Sequence, residues 1–186
     1  MSNRHLAVAV LAAFLLSSCY GCASRTTVAP LATVSYVDLA RYSGTWHELA
    51  RLPMWFQRDC LQSRAEYTLL SENEITVVNS CPTAGGGNKK AHGIAMVVDE
   101  QTNAKLTVRF DNWFSRIFPG LTTGDYWILW LDPAYQTVLV GTPDRKFLWI
   151  LARTPSVDRE TFNQLSTLAQ ELGFATEQLI VFQHDR

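Results

Sequence analysis

Tyr42-Ser43-Gly44-Thr45-Trp46-His47-Glu48-Leu49-Ala50-Arg51 is the stretch whose reading decides the fold. A short polar entry gives way there to a strand that opens on a glycine and an indole. Roughly a hundred residues later, Phe147-Leu148-Trp149-Ile150-Leu151-Ala152-Arg153-Thr154-Pro155 answers it. If the segments between them close into one antiparallel sheet, the first and last strands pair and Arg153 lies across the Trp46 ring. An indole is a large apolar plug with an electron-rich face, and a guanidinium stacks on such a face. Gly44 lets the entering backbone pass close beneath the ring. Gly44, Trp46 and Arg153 would then seal one end of a barrel as its floor.

Working outward, Val37, Leu39 and Tyr42 around Asp38 suit a short helical turn before the first strand. Alternation and turn residues mark strands over 44–52, 62–70, 74–80, 91–99, 105–110, 125–131, 136–140 and 146–153. Eight short strands at turn spacing are the signature of an all-β, up-and-down antiparallel barrel. The period then changes. Phe162, Leu165, Ala169 and Leu172 recur at helical spacing over 158–172, with Ser156 as the expected cap and Gly173 as the stop. So narrow an apolar stripe predicts a helix lying on the outside of the barrel. A last short strand is expected over 178–182.

Composition bounds the rest. At 186 residues, 47% hydrophobic and 18% charged with a net charge of -1, the chain is one globular unit with a sizeable core. Its basic residues are scattered, which excludes a nucleic-acid footprint. Residues 1–18 read as a signal peptide: Arg4 and His5, an apolar run from Leu6 to Leu16, then small residues. That run is too short to be kept as a spanning helix. Leu16-Ser17-Ser18-Cys19 resembles the bacterial lipobox, in which the cysteine is acylated and becomes the new N-terminus. Tyr20, rather than Asp, follows it, which by the same resemblance points to the outer membrane, on its periplasmic face. Residues 19–33 then read as the lipidated Cys19 and a flexible tether, and 34–186 as the folded domain.

Gly44-Thr45-Trp46, the helical entry before it, the eight strands, Arg153 and the packed helix together resemble the lipocalins over essentially all of the mature chain. Val37-Asp38-Leu39, Arg41-Tyr42, Pro143-Asp144-Arg145 and Leu148–Pro155 are similar to the lipid-anchored outer-membrane lipocalins of bacteria. Tyr126-Trp127-Ile128-Leu129 and Trp149–Arg153 are similar to their animal relative apolipoprotein D. One block departs. The family's Thr-Asp-Tyr here reads Thr123-Gly124-Asp125-Tyr126, with an inserted glycine.

The resemblance implies a calyx that binds one small ligand, closed at the Trp46 end and entered through the first, third, fifth and seventh connections. The fifth, 111–123, is long and aromatic, with Trp113, Phe114, Ile117, Phe118 and Leu121. Likeness to apolipoprotein D puts Trp127, Trp149, Tyr67 and Asn79 on pocket positions. Alternation adds Leu151, Leu129, Val108, Phe110, Val77 and Leu69. Such walls suit a hydrocarbon chain with one polar head, a fatty acid or a lysophospholipid. About a dozen buried methylenes at roughly 0.8 kcal/mol each give on the order of 10 kcal/mol before association costs, hence micromolar affinity with no cofactor. Cys60 and Cys81 should form a disulfide in an exported protein, worth roughly 3 kcal/mol, with a bend near Cys60 to bring them together. Cys22 would remain unpaired.

Other classes leave weaker traces. His47-Glu48 opens like a zinc-protease helix, but Arg51 stands where the second histidine belongs, so no metal set is read. A cavity-thiol enzyme would need Cys60 and Cys81 reduced. A structural lipoprotein whose barrel is filled by its own side chains is the remaining alternative. Envelope lipid carriage, serving membrane maintenance or stress, is the function the resemblance implies. The oligomeric state is not legible.

Overall fold

The computed structural model describes residues 29–111 and 123–182. The signal peptide and the tether up to residue 28, with Cys19 and Cys22, and the apolar and aromatic positions Trp113, Phe114, Ile117, Phe118 and Leu121 lie outside the described residues.

A short helix α1 (Leu39–Tyr42) leads in, its first turn capped by the Asp38 carboxylate, which accepts from the backbone of Ala40 and Arg41. Then come β1 (Gly44–Arg51), β2 (Arg64–Ser71), β3 (Glu74–Pro82), β4 (Asn88–Val97) and β5 (Lys105–Phe110). They are followed by β6 (Thr123–Leu131), β7 (Thr137–Gly141), β8 (Leu148–Ala152), helix α2 (Arg159–Glu171) and β9 (Ile180–Val181). Each strand from β1 to β8 pairs antiparallel with the next, and β8 returns to β1 with Glu48 opposite Leu151, so the expected barrel is closed. The β1–β2 seam is short, running from Gly44 opposite Tyr67 to His47 opposite Arg64. Above it, Ala50 and Arg51 pair instead with Val181 and Ile180 of β9.

Two apolar clusters share the sheet, one on each face. The inner one holds Trp46, Tyr67, Val77, Ala95, Leu106, Val108, Ile128, Val138, Val140 and Leu151. The outer one joins Leu49, Leu129, Leu139, Leu148 and Ile150 to Leu165, Ala169 and Phe174, so α2 packs on the outside wall as expected. Leu31 is buried in this outer cluster, so ordered packing begins before Val34. The helix is capped by Asp158 rather than Ser156. Its carboxylate reaches the Thr161 N–H at 2.8 Å, three residues on, a geometry Ser156 is too far back to make. Gly173 ends the helix at φ +87°, the left-handed conformation glycine takes at no steric cost.

Gly141 is where the helix end meets the wall. A Cβ there would lie 2.6 Å from Cζ of Phe174 and 3.0 Å from a Leu129 methyl. Gly141→Ala should therefore overpack the seam and destabilise by about 1–3 kcal/mol. The check is a lowered thermal midpoint followed by circular dichroism, against an unchanged far-ultraviolet spectrum.

Candidate functional site

The closed end is built as the sequence suggests. Trp46 is fully buried, and the Arg153 guanidinium carbon sits 3.9 Å from the centre of its ring. Arg153 also donates to four backbone carbonyls: Thr45 at 3.0 Å, Arg41 at 2.7 Å, Tyr42 at 3.1 Å and Tyr135 at 3.2 Å. Gly44 holds φ +102°, and a Cβ on it would come within 3.2 Å of an Arg153 nitrogen. The Trp46 indole N–H donates to the Tyr42 carbonyl at 2.8 Å.

Above the indole sits a plate of three phenols. Tyr126 stands between Tyr42, at 2.6 Å between hydroxyls, and Tyr67, which donates to it at 3.0 Å. Burial pushes all three above the ordinary phenol pKa, Tyr67 to about 12. They stay neutral and are spent on one another. The Tyr67 hydroxyl, expected to face a ligand, is therefore engaged with Tyr126.

Higher up, the inner wall carries Asn79, Val108, Phe110, Val140, Trp149 and Leu151. Asn79 lies opposite Ala65 and Ala91, and its Oδ1 is buried and accepts no hydrogen bond among the described residues. Trp149 and Phe110 pack against the inner cluster while keeping partial exposure, in contrast to the sealed floor.

Between floor and rim is a charged group. Glu48 and Arg51 are 3% and 2% exposed and paired to each other. In a regular strand residues three apart face opposite ways, but a bulge between Glu48 and Ala50 turns both inward. Arg51 donates to the carbonyls of Gln57 and Cys60, while Gln57 donates to Glu48 and Ser63 and accepts from the Trp149 indole at 3.1 Å. Desolvation raises the Glu48 pKa, though Arg51 opposes it. The group pins the β1–β2 connection onto the barrel.

The disulfide Cys60–Cys81 is formed, its Cα atoms 5.5 Å apart. Ser80 pairs with Arg64, while Cys60 pairs with Thr83, one residue out of that register, and this slip supplies the expected bend.

Three expected wall residues are corrected. Trp127 and Leu129 pack in the outer cluster, beside Trp130 and under Phe174, while Tyr126 and Ile128 take the inner face. All six residues from Tyr126 to Leu131 are apolar or aromatic, so alternation carries no phase there, and a bulge between Ile128 and Trp130 shifts it again. Leu69 is 40% exposed because β2 runs past the start of β1: β1 begins at Gly44, opposite Tyr67, and beyond that pair this edge of β2 has no strand beside it among the described residues. Glu48, Arg51, Gln57, Tyr42 and Tyr126 were not among the expected site residues. The signal for the first two was an acid and a base three apart around an apolar pair.

Comparison with known proteins agrees with this geometry. Residues 37–184 match the family model described as a lipocalin-like domain. Temperature-induced lipocalin-1 of Arabidopsis thaliana is 39% identical over 149 residues, covering 78% of each chain. The outer membrane lipoprotein Blc of Citrobacter freundii is 34% identical over 178 residues, covering 92% of each. Among solved structures, insecticyanin from the tobacco hornworm Manduca sexta superposes with a TM-score of 0.62 at 18% identity, over 83% of this chain and 84% of that one, a likeness of fold alone. A closed eight-strand barrel floored by Trp46 and Arg153, with a family model across nearly all of its folded residues, makes this chain a member of the lipocalin family.

Proposed function

We propose that this lipocalin binds and carries amphipathic lipids, fatty acids or lysophospholipids, in the bacterial cell envelope, held at the outer membrane by acylation of Cys19. The observation that carries the reading is the contrast between the two halves of the barrel interior. The lower half is packed by Trp46 and the three phenols, whereas the wall above it is apolar along β5, β7 and β8, leaves Phe110 and Trp149 partly exposed, and holds one buried acceptor without a partner, Asn79 Oδ1. An acyl chain lies against Phe110 and Trp149 and reaches down toward Val108 and Leu151, and a hydroxyl near its head donates to Asn79. Nothing in this role calls for bond making, so the protein acts as a binder rather than an enzyme. Similarity to the outer membrane lipoprotein Blc supports the location, and similarity to a temperature-induced lipocalin supports a part in membrane maintenance under stress.

Native mass spectrometry of protein released gently from membranes tests the reading, and a bound lysophospholipid or fatty acid is the expected adduct. Titration separates the two heads. Asn79→Leu should weaken binding of a lysophospholipid, whose free hydroxyl can donate, by about 3- to 10-fold, the worth of one neutral hydrogen bond. An ionised fatty acid has no proton to donate to Oδ1 and should lose less. Quenching of Trp149 reports both, and absence of any saturable response would leave the filled-barrel alternative standing.

A further inference from the structure

Exposed apolar side chains gather in two places. At the open end Trp55 is 75% exposed, Phe56 45% and Leu61 49%, all in the β1–β2 connection. At the closed end Leu70 is 59% exposed, Met96 52% and Val98 63%. Solvent-facing aromatics of this size are unusual on a monomer and mark contact with another phase or partner.

Charge distinguishes the two patches. The three described connections at the open end and the strand ends beside them, 53–63, 82–90 and 142–147, hold five cations (Arg58, Arg145, Lys146, and Lys89 and Lys90 at the start of β4) against two acids (Asp59, Asp144), a net of +3 on a chain whose total is -1. The segments beside the closed-end patch, 71–74 and 98–105, hold four acids (Glu72, Glu74, Asp99, Glu100) against Lys105, a net of -3. Arg58 and Lys146 keep 79% and 74% of their side-chain surface in solvent even though each has an acid neighbour.

The chain's route points the same way. Arg145, in the turn between β7 and β8, donates to the Ala29 carbonyl at 2.8 Å, so Ala29, the first described residue, lies at the open end. Phe147, next to that turn, meets Phe56 edge-on at 5.5 Å between ring centres, and Phe56 meets Trp55 at 5.6 Å. Ala29, the exposed rings and the surplus positive charge share one end of the barrel.

From these we infer that the open end is a docking face for an anionic lipid bilayer, with Trp55 and Phe56 entering the headgroup region and the basic connections lying on the phosphates. Amphipathic rings favour that depth, and Lys and Arg side chains near an anionic surface add an attraction that falls with salt. The mouth of the barrel then faces the membrane. The surface goes beyond the lipid-carrier reading and does not require the acyl group.

The test uses the chain from residue 19 onward with Cys19→Ser, which contains every described residue and lacks an acyl anchor. It should bind vesicles of phosphatidylcholine mixed with phosphatidylglycerol, bind phosphatidylcholine alone far more weakly, and come off as salt rises. Trp55→Ser with Phe56→Ser should lower the partition by about ten-fold or more, the loss of two interfacial aromatics, while Leu70→Ser with Met96→Ser leaves it unchanged. Hydroxyl-radical footprinting of the unsubstituted rings gives a second readout that does not depend on the variants folding: on vesicles Trp55 becomes protected and Met96 stays reactive. Equal binding by the open-end variant, protection of Met96 in place of Trp55, or self-association through Trp55 without lipid would each overturn the proposal. Titration with monomeric lysophospholipid keeps the two ideas separate, since a chain that docks but takes up no ligand sinks only the carrier reading.

Discussion

Trp46→Ala should lower the free energy of unfolding by about 3–5 kcal/mol, the range found when a buried aromatic is cut to a methyl. Trp46 belongs at the upper part of that range because three kinds of contact end on it. Its ring is fully buried at the junction of β1, β2 and α1, it stacks on Arg153, and its indole N–H satisfies the Tyr42 carbonyl. Truncation also leaves the guanidinium without its aromatic face. Arg153→Lys is the matching test from the other side: an ammonium cannot serve carbonyls of Thr45, Arg41, Tyr42 and Tyr135 together, so it too should destabilise, though by less, since the indole stays in place. Urea unfolding followed by tyrosine fluorescence measures both. A loss below about 1 kcal/mol for Trp46→Ala would show that the floor is not what closes the barrel.

Arg51→Met comes next in size, at about 3–5 kcal/mol, because it strands a buried carboxylate. Glu48 is 3% exposed and relies on Arg51 and Gln57, and the same guanidinium also holds the carbonyls of Gln57 and Cys60. The loss should depend on pH in a definite direction. Burial raises the folded-state pKa of Glu48 even with its partner present, and without Arg51 it rises further. A carboxyl whose folded pKa exceeds its unfolded value binds its proton more tightly in the folded protein. Its unfavourable contribution is absent below the unfolded pKa and grows as pH rises through the folded one. The gap between Arg51→Met and the parent should therefore narrow toward acid and widen toward neutral pH. Urea midpoints at a series of pH values check this, and a gap independent of pH would mean that Glu48 is not the group left unpaired.

The barrel, its closure and its floor were legible because local chemistry and global geometry agree there. Glycine and indole begin one strand, arginine ends another, and only a closed sheet brings them together. The interior was legible wherever polar and apolar residues alternate, as in β5, where Leu106 and Val108 face in, and β8, where Trp149 and Leu151 do. It was not legible where alternation fails. Tyr126 to Leu131 offers apolar side chains to both faces, so the outward turn of Trp127 and Leu129 is set by Phe174 and the helix, partners thirty or more residues away. Leu69 had the right phase, but phase does not tell how far down a barrel reaches. Glu48 and Arg51 were hidden by a bulge, since a regular strand would have sent one of them to solvent.

Among the described residues, β1 and β2 match over four positions, while β3 and β4 match over nine, from Glu74 opposite Met96 to Pro82 opposite Asn88. A cylinder joined so unevenly does not breathe uniformly. Amide exchange should be fastest at the lower end of β2, past Tyr67, where no strand lies beside it on the β1 side among the described residues, and slowest in β3. The Cys60–Cys81 link and the Arg51 cluster fasten the opposite, upper end of the same seam, so loosening of the wall should begin beside the floor while the rim stays clasped.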